Sequence, residues 1–127
     1  MINATKLKNK YKQIKGELFK ELIKNNNGFY FNQKHTDLVD SIVKEITDEI
    51  KKIYQVVDFT LIAVGGYGRQ ALSPKSDVDL LFIYKKSNKN IRDFISALNN
   101  SLWDVGLEVS ISFLTIKQAL IDSRKDI

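Results

Sequence analysis

The sequence predicts an α+β fold in which a small mixed sheet carries packed helices and is preceded by a helical segment. Three observations predict it. The first half holds two long stretches with apolar residues at helical spacing. The second half holds short apolar runs near 59–64, 78–84 and 107–114. Between and after the last two runs, the helical spacing returns.

Each element has its own justification. From Lys6 to Lys24, Leu7, Tyr11, Ile14, Leu18 and Leu22 recur on one face, and Asn25-Asn26-Asn27-Gly28 ends the helix. A second helix is expected from about Thr36 to Tyr54, with Leu38, Ile42, Ile46, Ile50 and Ile53 as its apolar stripe. Both stripes read as ordinary core. His35, the single histidine, reads as a surface residue beside that helix start. Phe59 to Val64 reads as a buried strand that runs into Gly65, Gly66 and Gly68. A strand at 78–84, a helix near 90–104 with Ile91, Phe94, Ile95, Leu98 and Leu102 on one face, a strand at 107–114 and a last helix from Ile116 follow. The expected division is a helical segment at 1–57 and a core at 58–127.

Composition bounds the function. A chain of 127 residues makes one domain, able to bury roughly two-thirds of its unfolded surface. The absence of cysteine excludes disulfides and thiolate metal sites. With no apolar run of membrane length and no signal peptide, the expectation is a cytoplasmic protein without membrane contact. The net charge of +5 rests on seventeen lysines and three arginines, and most of the excess lies in 1–57. Without an arginine cluster or interleaved aromatics, this reads as a solvated lysine surface rather than a nucleic-acid footprint.

The chemistry is concentrated between Val64 and Leu80. In a strand beginning Asp77-Val78-Asp79-Leu80, alternation sends both aspartates to one face, about 6.6 Å apart along the backbone. Two carboxylates near 4 Å repel by roughly 4 kcal/mol at an effective dielectric of about 20, so the pair makes sense with a cation between. Mg²⁺ fits, because it takes hard oxygen ligands and is commonly held by one or two carboxylates plus substrate phosphates. The bland reading is a loop-end aspartate pair, since Ser76-Asp77 leaves a loop. Upstream, Gly65 and Gly66 let backbone amides approach phosphate oxygens, with Ser76 as a further phosphate contact, and Arg69 adds a charged fork. Together these are the parts needed to hold a nucleoside triphosphate on a divalent metal.

Two other phosphate sites are set aside. Gly66-x-Gly68-x-x-Ala71 satisfies a permissive dinucleotide pattern, but Pro74 and the strand at Asp77 leave no room for a crossover helix. The position where a ribose-binding acid belongs holds Lys86. A P-loop is excluded because Gly-Lys-Ser/Thr is absent.

The run from Gly65-Gly66-Tyr67-Gly68-Arg69 through Ser73-Pro74-Lys75-Ser76-Asp77-Val78-Asp79-Leu80-Leu81 resembles the signature of the PII uridylyltransferases, within the DNA polymerase beta-like nucleotidyltransferases. Leu102-Trp103-Asp104-Val105-Gly106-Leu107-Glu108-Val109 resembles the segment that follows in those enzymes. The resemblance covers roughly 58–127 and implies a polymerase beta-like fold, UTP as donor, a tyrosine of the PII signal protein as acceptor, Mg²⁺ as cofactor and pyrophosphate as product. Enzymes that adenylylate glutamine synthetase, and nucleotidyltransferases joined to CBS domains, share the Gly-Gly and Asp-x-Asp elements. The resemblance also implies a third carboxylate on a neighbouring strand. Glu108 is the candidate, if the third strand turns Glu108, Ser110 and Ser112 toward the aspartates; the alternative is an exposed strand-edge glutamate.

The departures are specific. The similar enzymes carry a histidine and an arginine where this chain has Ile111 and Leu114, and a glutamate where it has Ala71. They are also far longer, with uridylyl-removing and glutamine-sensing domains not found in these residues. The expectations are therefore a nucleotidyltransferase core incomplete at its C-terminus or, from another class, a catalytically silent remnant that binds nucleotide or a partner.

Overall fold

The computed structural model describes residues 3–56, 58–68 and 77–125. Helices α1 (Ala4–Asn25) and α2 (Gly28–Tyr54) form a hairpin. The chain continues through β1 (Phe59–Val64), the one-turn helix α3 (Gly65–Gly68), β2 (Val78–Tyr84), α4 (Lys89–Val105), β3 (Val109–Thr115) and α5 (Ile116–Lys125). The α+β class with a mixed sheet and packed helices is therefore present. The sheet runs β1-β2-β3, with β1 antiparallel and β3 parallel to the central β2. A parallel pair needs a long crossover, and α4 supplies it.

One face of the sheet is covered by helices. Val78, Leu80, Phe82 and Tyr84 of β2 are buried in one core cluster with α1, α2 and α4 residues. Phe82 is fully buried, stacks on Phe59 at 5.1 Å between ring centroids and meets Phe94 at 5.6 Å. On α4, Ile91, Phe94, Leu98, Leu102 and Val105 repeat at steps of three and four and are all buried. Each of the three long helices starts on an asparagine whose side chain accepts from a backbone N–H: Asn3 from Lys6, Asn27 from Tyr30 and Asn88 from Ile91.

The structure corrects four expectations: the start of the second helix, the place of His35, the end of the α2 stripe and the start of the third strand. The second helix begins at Gly28, not Thr36, because the asparagine run contains a break of only two residues. Asn26 closes α1 in the left-handed region at φ 51°, and Asn27 at once caps α2. The earlier start moves His35 inside the helix, one turn past buried Phe31, so His35 is not a surface residue. It is 1 % exposed, and its Nε2 lies 2.9 Å from the Tyr11 hydroxyl across the α1–α2 interface. Burial pushes the Tyr11 hydroxyl up to about 12. The α2 stripe also ends sooner than expected. Ile50 is buried, but Ile53 lies beyond the core and is exposed.

The third strand begins at Val109 instead of Leu107. Gly106, at φ 103°, terminates α4, and the amide of Leu107 donates back to the Leu102 carbonyl at 3.1 Å. Leu107 thus belongs to a glycine helix cap with its apolar side chain buried, and the strand starts after it.

Candidate active site

Strand pairing brings the glycine turn and the aspartates together. Val64, the last residue of β1, lies opposite Asp79 in the antiparallel register. Gly65 follows at φ 62°, a conformation that L side chains rarely adopt. A Cβ on Gly65 would stand 2.8 Å from Asp79 Oδ2, so the carboxylate sits hard against a backbone with no side chain. Gly68 is required for a different reason. A Cβ there would come within 2.6 Å of the Ala63 carbonyl oxygen, where the turn folds back on β1.

The second strand sorts its residues by face. Val78, Leu80 and Phe82 enter the core, while Asp79, Leu81 and Ile83 on the opposite face are half-buried. Asp77, exposed, immediately precedes the strand, and alternation assigns it to the Asp79 face. The parallel register sets Ser110 beside Asp79 and Ser112 beside Leu81, so exposed serines flank the carboxylate strand. Alternation in the sequence had placed Ser110 and Ser112 on one face with Glu108 without giving the serines a role.

Glu108 lies just outside β3 and is exposed, and its carbonyl accepts from the Val78 amide at 2.8 Å. Continuing the register by one residue would set it beside Asp77. Its charge also reaches α1. Burial lowers the Lys15 amine below its ordinary value, and the Glu108 carboxylate pulls it back up. Among the described residues, no group of three or more histidine, cysteine, aspartate or glutamate side chains stands close enough to hold a metal ion. The structure thus places Asp79 against Gly65 and Asp77 at the head of the same strand, without gathering Glu108 into a three-carboxylate cluster. Arg69 and Ser76 lie outside the described residues.

A left-handed glycine turn pressed against a strand-borne carboxylate, on the open face of a mixed sheet backed by helices, defines an α+β domain with one acidic corner. The chain belongs to the nucleotidyltransferase domain family, whose model matches residues 43–127. It is 44 % identical over 71 residues to a bifunctional uridylyltransferase/uridylyl-removing enzyme of Pseudomonas aeruginosa, a match covering 55 % of this chain and 8 % of that protein. The enzyme of the same name from Pseudoalteromonas translucida is 45 % identical over 71 residues, with the same coverage of 55 % and 8 %. That from Pseudomonas fluorescens is 37 % identical over 90 residues, 70 % of this chain and 10 % of the relative. The chain therefore spans about a tenth or less of the length of the curated relatives it matches. No solved structure matches the chain. Among the described residues, no helix is long and apolar enough to cross a membrane.

Proposed function

We propose that the chain carries metal-dependent nucleotidyl transfer, with UTP as donor and a tyrosine hydroxyl of a PII-type signal protein as acceptor, in the cytoplasm. The observation that carries the reading is the contact between Gly65 and Asp79, which joins a phosphate-compatible turn to a metal-compatible carboxylate. Family membership supports nucleotidyl transfer, and the relatives named uridylyltransferase support a uridylyl donor.

The donor set fits Mg²⁺. Asp79 on β2 and Asp77 just before it, with no third carboxylate gathered to them among the described residues, suit an ion completed by substrate phosphates and water, as opposed to one caged by protein alone. Asp77 and Asp79 would hold it. When bound, the ion supplies charge neutralisation across the triphosphate and the leaving pyrophosphate. Gly65 and Gly66 offer backbone amides to phosphate oxygens, and Ser76 and Arg69 are assigned to the same phosphates. Glu108 is the in-chain candidate for taking the proton of the attacking hydroxyl. Continuing the β2–β3 register by one residue sets it beside Asp77.

A second reading has an observation in its favour. Ser110, not a carboxylate, stands beside Asp79, and no group of three carboxylates gathers among the described residues. A silent domain that binds nucleotide, or a partner, without turnover would show this pattern. The experiment that separates the two is pyrophosphate release with Mg²⁺, UTP and purified PII. Release that requires both UTP and PII supports transfer. UTP binding without release supports the silent domain, and release with ATP in place of UTP points to an adenylyltransferase.

A further inference from the structure

We propose that the groove between α1 and the C-terminal end of α4 is a docking site for an acidic amphipathic helix of a partner protein. The inference does not rest on the nucleotide reading; the groove meets that site only through Lys15, which feels the charge of Glu108. The groove has a volume of about 630 Å³, and its walls include Lys8, Lys12, Gly16, Phe19, Val105 and Gly106.

Charge is the first observation. Helix α1 carries seven lysines against two glutamates, a net +5, while the remaining 13 basic and 13 acidic residues of the chain cancel. The entire net charge of the protein therefore sits on one helix. Lys8, Lys12 and Lys15 follow at steps of four and three, so they share one face, and Lys20 extends the basic rim beyond Phe19. From Lys8 to Lys20 the rim runs about 18 Å, three helical turns. Apolar surface lies along the same run. Phe19 remains 43 % exposed, and the half-buried Lys15 amine lies 5.4 Å from the ring of Tyr11, another groove residue.

Gly16 is the second, independent observation. Glycine in mid-helix costs stability relative to alanine. Packing among the described residues does not demand it here, since none of them lies within 4 Å of where its Cβ would be. The result is a notch in the groove wall, open to an apolar side chain from outside. A notched apolar floor with a long lysine rim matches a helix bearing Leu or Phe on one side and Glu or Asp along its flanks. A nucleic-acid duplex would leave the apolar floor unused and find no arginine fork among the groove residues.

The test uses the full chain and a labelled helical peptide of about five turns with a leucine stripe flanked by glutamates. Fluorescence anisotropy should give saturable binding that weakens with salt. Lys8→Glu combined with Lys12→Glu should reduce affinity at least ~10-fold, as for removal of paired charges, while Lys12→Arg retains it. Gly16→Leu should reduce affinity similarly yet raise the thermal midpoint, because leucine is the better helix former and has open space. A drop in binding with a rise in stability cannot be mistaken for misfolding. The proposal is overturned by no peptide binding, or by affinity unchanged in both the charge variant and Gly16→Leu. It is overturned equally if a lysine-flanked peptide, duplex DNA or phosphatidylglycerol vesicles bind as well, or if sedimentation shows a second copy of the chain in the groove.

Discussion

Alternate residues of β2 live in different worlds. Val78, Leu80, Phe82 and Tyr84 are buried against helices, whereas Asp79, Leu81 and Ile83, on the other face of the same seven-residue strand, are only half-buried. The first set contributes the free energy of apolar burial. The second holds a carboxylate against a glycine turn, where it adds nothing to the core. One strand can therefore be fixed in place by one face and carry chemistry on the other, and substitutions on the two faces should separate stability from ligand binding.

The largest effect belongs to the helix-backed face. Phe82→Ala removes a fully buried ring from its cluster with Phe59 and Phe94, and a loss of about 3–5 kcal/mol is expected by urea denaturation. A cost below about 1 kcal/mol would mean that this face is far less tightly packed than the structure shows. Gly65→Ala tests the opposite face. A non-glycine residue at φ 62°, with its Cβ 2.8 Å from Asp79 Oδ2, should cost about 1–2 kcal/mol. The loss of nucleotide affinity should exceed that loss of stability, because the Asp79 carboxylate must move.

The next effect lies in the helix layer and depends on pH. Tyr11→Phe breaks the buried contact with His35 and should cost about 1 kcal/mol at neutral pH. Folding raises the Tyr11 hydroxyl from 10.0 to about 12, so the unfolded chain ionises first. That contribution is fully present below pH 10 and is lost as pH rises toward 12. Urea midpoints measured across this range should fall faster for the parent than for Tyr11→Phe; parallel curves would show that the phenol is not protected in the folded state. The smallest effect is a gain. Thr47 Oγ1 is buried with no hydrogen-bond partner among the described residues, so Thr47→Val should be neutral or stabilising by up to about 1 kcal/mol. A loss of that size would show that the hydroxyl is satisfied.

How much of this was legible in the sequence follows the range of the interactions involved. The strands 59–64 and 78–84 and the helix carrying Ile91 to Leu102 were legible because period and breakers are local signals. The start of α2 was hidden because Asn-Asn-Asn-Gly marks a break without giving its length, and two asparagines suffice to end one helix and cap the next. His35 was misplaced as a direct consequence. Leu107 looked like strand because an apolar residue closing a glycine cap is indistinguishable by pattern from one opening a strand. At the site, the proximity of Gly65 to Asp79 follows from the antiparallel pairing of Val64 with Asp79. The neighbour of Asp79 on β3 was not legible, since parallel register is fixed by the packing of α4 and by pairing between distant residues. Alternation gave Ser110 its face, but only the register makes it the direct neighbour of Asp79.

The central claim is that the corner formed by Gly65, Asp77 and Asp79 holds a triphosphate on a divalent ion. Calorimetric titration of UTP with and without Mg²⁺, on the parent and on Asp79→Asn, tests it most directly, with urea denaturation of both proteins alongside. Mg²⁺ should tighten UTP binding by at least ~10-fold in the parent, equivalent to about 1.4 kcal/mol, and leave Asp79→Asn unaffected. The variant should match or slightly exceed the parent in stability, because a like-charged neighbour of Asp77 is gone. Indifference of the parent to Mg²⁺, together with unfolding of Asp79→Asn, would contradict the account and make Asp79 a structural residue.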